Sequence, residues 1–332
     1  MNKPLDFVAI GDITTDAFIR LKDAHVNCNI NKDSCEICMA FGDKVPYEFV
    51  EIVKSVGNSP NASVSAHRLG LSSGLISNLG DDQNGGECLA TLTKQGVDTT
   101  YVKVHKNRET NYHYVLWFED ERTILVKHHD YDYKFPDLPA PKWLYLSSLG
   151  ESSLAYHGEI ESYLKANPET RLAFQPGTFQ MKLGVEKLKG LYAHTEVFFC
   201  NVEEAKRILK AKDETPVEKL LEDMRVLGPR IAVITDGPRG AYAYDGRHRW
   251  FMPPYPDPKP PYERTGAGDA FASTFTSALA LGKDIAEALM WGPINSMSVV
   301  QYVGAQKGLL TREKLEKLLA DAPKSYKPKL LA

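Results

Sequence analysis

The sequence predicts an α/β fold: a mostly parallel sheet covered by helices on both faces, with a small β-layer outside it. Two observations carry the prediction. From Trp143 onward, short and uniformly apolar strands alternate with helical segments over short connections, as expected of strands buried on both faces. Between Tyr101 and Val126 the pattern is instead alternating. Tyr112, Tyr114, Leu116 and Phe118 face one way and His113, Val115 and Trp117 the other, which reads as a hairpin with one exposed face.

Taken in order, residues 7–10 form a buried strand that ends at Gly11-Asp12, and 13–21 continue extended, with Asp16 near the start. Residues 22–55 are polar, cysteine-bearing and weakly periodic. A helix begins around Asn61 and stops at Gly70; 74–80 form a second apolar strand, and 86–95 a helix closed by Gly96. Glu119-Asp120-Glu121-Arg122 turns the hairpin. Strands follow at 143–147, 172–174, 197–200 and 231–235, and helices at 155–166, 185–192, 202–209 and 217–227. Segments 241–244 and 248–251 pair around Asp245-Gly246. Helices from Ala267, over 285–302 and over 311–319 complete the chain. Ligands of such sheets bind beyond the carboxyl ends of the strands. Gly11-Asp12, Asn201, Thr235-Asp236 and the 263–269 loop all fall there.

At 332 residues the chain is within reach of a large α/β domain. A net charge of −3 without a Lys/Arg-rich run gives no field for nucleic acid. No apolar run is long enough for a membrane span, and no signal peptide precedes the first strand, so the expected setting is cytoplasmic. Five cysteines, an odd number, argue against a disulfide framework. His25, Cys28, Cys35 and Cys38, spaced His-x2-Cys-x6-Cys-x2-Cys, could supply four zinc ligands. The single short Cys pair and the unusual His spacing favour reduced thiols on a surface subdomain instead. Cys88 and Cys200 fall in apolar patterns and are expected in the core. His128-His129 has no further ligand nearby and reads as surface.

The chemistry centres on Glu263-Arg264-Thr265-Gly266-Ala267-Gly268-Asp269. A helix start leaves backbone N–H groups unpaired and carries partial positive charge. Gly266 and Gly268 lack a Cβ, so an anion can approach those amides closely. Asp269 would stand beside it as base for an attacking hydroxyl, an arrangement suited to phosphoryl transfer. The plainer alternative is that Thr265 caps an ordinary helix. Gly57, Asn58 and Asn61, in a turn before a helix, either bind hydroxyls of a polar ligand or make a turn and cap. Asn201 and Glu204 either form a capping box or hold waters around Mg²⁺. Thr235, Gly237 and Gly240 either wrap a nucleotide or form a strand-to-strand loop. No Gly-x-x-x-x-Gly-Lys-[Ser/Thr] and no strand–Gly-x-Gly-x-x-Gly–helix unit is present, which speaks against a P-loop NTPase or a dinucleotide enzyme.

In order and spacing, these motifs resemble those of the PfkB carbohydrate kinases, the ribokinase-like family, over nearly the whole chain. Gly11-Asp12-Ile13-Thr14-Thr15-Asp16 is similar to the family's opening motif, and Gly57 to Ala62 with Arg68-Leu69-Gly70 to its first signature. Gly80-Asp81-Asp82-Gln83-Asn84-Gly85, Asn201-x-x-Glu204, the Thr235–Gly240 loop and Thr265–Asp269 follow. The resemblance implies a three-layer αβα sandwich with a β-sheet lid from about 13–55 and 100–128. It implies ATP and Mg²⁺, with Asp269 as base and the Gly266, Ala267 and Gly268 amides as anion hole. It assigns Asp16, Gly57, Asn58 and Asn61 to the sugar. Asn201, Glu204, Thr235, Gly237, Gly240 and Asn295 fall to the nucleotide side, with Glu204 on Mg²⁺ through water. A nucleoside acceptor, with Tyr112, Tyr114 and Trp117 stacking on the base, is the alternative within the fold. A non-catalytic sugar- or nucleotide-binding regulator is the more distant one. A homodimer through the lid is expected. Val56, Glu263-Arg264 and Gln175-Pro176-Gly177 depart from the family pattern, the second where a monovalent cation would sit.

Overall fold

The computed structural model describes residues 4–28, 35–119 and 121–331. Its main sheet has ten strands in the order Lys329–Leu331, Arg249–Met252, Ala241–Tyr244, Ile231–Thr235, Thr195–Asn201, Arg171–Phe174, Trp143–Leu146, Phe7–Ile10, Ser73–Gly80, Val102–His105. From Ile231–Thr235 to Val102–His105 every neighbour is parallel; the other three strands add antiparallel.

Strand periodicity divides the apolar side chains between two cores. Phe7, Ala9, Trp143, Tyr145 and Phe199 enter one, which packs under Asn58–Arg68, Ala267–Ala280 and Ile285–Val299. Val8, Ile10, Leu144, Leu146 and Phe198 enter the other, under Leu154–Ala166 and Val217–Val226. Both faces are therefore covered, which is why these strands carry no polar alternation.

A second sheet of four strands, ordered Tyr47–Val56, Thr14–Leu21, Tyr112–Phe118, Glu121–Leu125, lies outside the first. Phe18, Val115 and Trp117 pack on Val303 of the main body. Trp117 is 1% exposed, with Tyr262 edge-on at 5.0 Å and the Arg20 guanidinium 4.5 Å above its ring. It is therefore packed rather than open for stacking.

Several expectations need correction. The helix expected around Asn61 starts at Asn58, because Pro60 sits in its first turn, where a missing N–H costs nothing. The 185–192 helix is broken into a turn at 186–188 and a helix Lys189–His194, preceded by Thr178–Leu183. Strand Val102–His105, within the expected lid, extends the main sheet. The last strand, Lys329–Leu331, has too short a pattern to be read from sequence. Asp120 of the expected turn and residues 29–34 of the lid segment lie outside the described residues.

The reduced-thiol expectation fails. His25–Cys28 and Cys35–Cys38 pair antiparallel with Cys28 opposite Cys35, and these two form a disulfide. That removes two of the three thiolates of the zinc alternative, leaving Cys38 free. Cys88 and Cys200 are buried, as expected.

Candidate active site

Asp269 occupies the first turn of Ala267–Ala280, whose N-cap is Gly266 at φ +82°. A Cβ on Gly266 would lie 2.2 Å from the Ala305 Cβ, so glycine is required by both conformation and space. Thr265 does not cap the helix: its hydroxyl and amide both donate to Oε1 of Glu263, at 2.6 and 2.7 Å. Among the described residues the amides of Gly266, Gly268 and Asp269 meet no acceptor in the chain, and that of Ala267 reaches only the Arg264 carbonyl at 3.5 Å. A cradle of donors is left open at the positive end of the helix.

The Asp269 carboxylate is clamped. Asn58 Nδ2 donates to Oδ1 at 2.8 Å, Gln175 Nε2 to Oδ1 at 3.1 Å, and Asn61 Nδ2 to Oδ2 at 2.8 Å. Burial pushes its pKa above the ordinary aspartate value, against the opposing pull of the Asn61, Gln175 and Asn58 amides and the Arg122 charge. Neither asparagine caps its own helix. Gly57, at φ +122°, brings that helix so close that a Cβ would lie 2.6 Å from the Asp12 carbonyl oxygen.

In front of Asp269 opens a cavity of about 620 Å³, within the range of small-molecule sites. Asp16, 7% exposed, lines it from the lid sheet. His113, its register partner on the next strand, brings Nδ1 to 3.3 Å from Asp16 Oδ1. A second cavity of about 260 Å³ adjoins the first: Thr235, Arg264, Gly268 and Phe271 border both. It holds Gly237 and Gly240 and is walled by Pro254, Tyr255, Pro293, Met297 and Val300, an apolar slot suited to a flat ring. The helix start thus stands between a polar chamber and an apolar one.

Asn201 and Glu204 form a reciprocal cap, Glu204 N donating to Asn201 Oδ1 at 2.8 Å and Asn201 N to Glu204 Oε2 at 2.9 Å. The capping box read from sequence is therefore present, and both residues also line the larger cavity. Burial raises the Glu204 pKa; the Asn201 amide and Arg207 oppose that rise, and the Asp269 charge reinforces it. Glu204 faces the larger cavity and would hold a divalent cation there. Among the described residues no three acidic, His or Cys side chains gather around one point. Such an ion would take the rest of its oxygens from water and phosphates, as Mg²⁺ commonly does.

Asn295 is placed elsewhere than expected. It is 0% exposed, with Nδ2 donating to Thr274 Oγ1 and Oδ1 accepting from Leu310 N; its neighbours Ser296 and Met297 border the slot instead. Glu263, at the position where the family resemblance would put a monovalent cation, is 1% exposed and has the Arg122 Nε at 3.7 Å. His128, read as surface, lines the larger cavity with its side chain 19% exposed. Gln175, His113, Arg122, Phe179 and Lys182 also line it, and no local motif marks them; only Gln175 stood out, as a departure from the family pattern.

A doubly covered parallel sheet with a β-lid, and a carboxylate beside open amides between two chambers, define a phosphotransferase with an alcohol acceptor. The chain belongs to the pfkB family of carbohydrate kinases, whose model matches residues 27–312. It is similar to 5-dehydro-2-deoxygluconokinase of Bacillus subtilis, 25% identical over 289 residues that cover 82% of this chain and 89% of that one. In structure it is similar to Arabidopsis thaliana ribokinase complexed with ribose and ATP, at TM-score 0.79 and 17% identity, over 96% of this chain and 99% of that one. It is also similar to the nucleoside kinase of Methanocaldococcus jannaschii, at TM-score 0.75 and 18% identity, over 96% and 100% of the two chains. It is a sugar kinase with the ribokinase fold.

Proposed function

We propose that this kinase transfers the γ-phosphoryl group of ATP to a sugar hydroxyl, with Asp269 as the base. The observation that carries the reading is the Asp269 carboxylate, oriented by three amide donors and facing the cavity next to unpaired helix amides. Asp269 takes the proton of the acceptor hydroxyl as the new O–P bond forms. The Gly266, Ala267 and Gly268 amides stabilise charge on the transferring group. ATP lies with its base in the apolar slot beside Gly237 and Gly240. Glu204, seated by Asn201, would hold Mg²⁺, whose contribution when bound is to neutralise charge on the phosphates. Asp16 and Asn58 orient the sugar, and the lid formed within 13–55 and 100–128 excludes water.

For the alternative nucleoside acceptor, Trp117 is packed, and neither Tyr112 nor Tyr114 is among the residues that line the larger cavity. The lid's outer face supports a homodimer: Ile52, Tyr114 and Leu125 lie in one cross-strand row, about half exposed, a surface fit for association. A monomeric mass in solution would remove that part.

The test is ATP consumption against pentoses, hexoses, their phosphates and acids, and nucleosides, with and without Mg²⁺. Asp269→Asn is expected to fold normally and lose roughly a hundredfold or more in kcat. Near-normal turnover by that variant would remove the base assignment.

A further inference from the structure

One wall of the larger cavity has no part in the transfer chemistry. The rings of His113 and His128 lie 5.1 Å apart, His128 meets Phe179 edge-on at 5.7 Å, and the Lys182 Nζ stands 5.4 Å from the Phe179 ring centre. Phe179 and Lys182 share a face of Thr178–Leu183, three residues apart. Gln180 anchors that helix: it is 1% exposed, accepts from the Gly177 amide at 2.7 Å, and has His157 Nε2 at 3.0 Å from its own amide nitrogen.

The acids nearby are already engaged. Asp16 faces His113, Asp12 accepts from the Tyr133 hydroxyl, which lies 2.9 Å from both its oxygens, and has His128 at 3.5 Å, and Asp269 holds its three amides. Lys182 is paired with none of them: among the described residues its recorded contact is the Phe179 ring. Asp16 Oδ1, near His113 Nδ1 at 3.3 Å but not hydrogen-bonded to it, and His113 Nε2 are buried without a hydrogen-bond partner, a state that a bound hydroxyl compound relieves.

We propose that the acceptor carries an anionic group, a carboxylate or a phosphate, held by Lys182 and His128, while its hydroxyls meet Asp16 and His113. This rests on the sugar-kinase reading and narrows its substrate class. Lys182 is exposed at the cavity wall, so water serves its ammonium when a neutral sugar binds; an anionic one replaces that water with a charge-assisted bond.

The experiment uses the full chain and three sets of acceptors: sugar acids, sugar monophosphates, and their neutral parents. Steady-state kinetics with ATP are run beside calorimetric binding without it. The expected result is a preference of at least about tenfold in kcat/KM for one anionic set, the better set telling carboxylate from phosphate. Lys182→Gln should cut that anionic-to-neutral ratio by about tenfold, mainly through KM, and Lys182→Arg should restore most of it. His128→Gln should lower the ratio in the same direction. A neutral sugar or nucleoside preferred over every anionic compound would overturn the proposal, as would a ratio that Lys182→Gln leaves unmoved. Calorimetric binding of the anionic set with no turnover in any arm would uphold the anion site and remove the kinase reading instead.

Discussion

The side-chain amide of Asn61 donates to Oδ2 of Asp269 at 2.8 Å across 208 residues of chain. Its oxygen accepts from Gln306 Nε2 at 3.0 Å, so the amide is held in one orientation. The first turn of one helix thereby fixes the carboxylate in the first turn of another, and Asn58 and Gln175 load the second oxygen. A base fixed in this way needs little reorganisation when it accepts a proton.

The pH dependence follows. As the proposed base Asp269 must be ionised to act, and burial raises its pKa against the pull of its three amides. Activity is therefore present above that raised value and is lost as pH falls through it. Asn58→Ala removes a donor that favours the charged form and should move the acid limb of kcat/KM to higher pH. Gln175→Glu puts a second carboxylate at Oδ1 and should move it the same way. A limb that neither substitution shifts belongs to another group.

The two glycines of the anion cradle should respond oppositely. Gly266→Ala meets both a left-handed φ and the Ala305 Cβ at 2.2 Å, at a cost of roughly 1–3 kcal/mol, visible as a lower Tm. A Cβ on Gly268 has its nearest neighbour, Gln175 Nε2, at 4.0 Å. Gly268→Ala should keep its Tm within a degree or two (roughly 0.5 kcal/mol) yet lose kcat, because the methyl crowds an approaching phosphoryl group.

Arg122 ties the lid to the catalytic loop. Its Nε lies 3.7 Å from Glu263 Oε1, the atom that accepts from Thr265. Arg122→Met leaves a buried carboxylate short of its counter-charge and should lower urea stability by about 1–3 kcal/mol. Adding Glu263→Gln should recover much of that loss. Additive losses in the double-mutant cycle would show that the two side chains are uncoupled.

Cysteine chemistry offers a separate check. Protein purified and unfolded without reductant should titrate three free thiols, for Cys38, Cys88 and Cys200, and should contain no stoichiometric zinc. Five thiols, or one bound zinc per chain, would contradict the Cys28–Cys35 bond.

Much of the site could be read along the chain because its backbone features are local. Gly266 and Gly57 mark turns that only glycine can make, and Asn201-x-x-Glu204 spells its own cap. Strand runs such as Phe7–Ile10 predict burial on both faces from composition alone. Side chains that act across the cleft carry no such mark. Gln175 follows a strand like any polar residue, and His128 sits in a stretch indistinguishable from surface. Asn295 fits a family position yet points into the core, where Thr274 and Leu310 take up its amide.

The layered α/β architecture, the glycine turn that opens the helix at Ala267 and the order of the motifs were legible in the sequence alone, because periodicity and turn chemistry act over a few residues. Only the tertiary structure decided that Asn58, Asn61 and Gln175 converge on Asp269, that Arg122 meets Glu263, and that a histidine–phenylalanine–lysine wall lines the larger cavity. Those contacts join residues tens to hundreds of positions apart. They depend on strand order, lid register and helix packing, which pattern along the chain does not encode pair by pair.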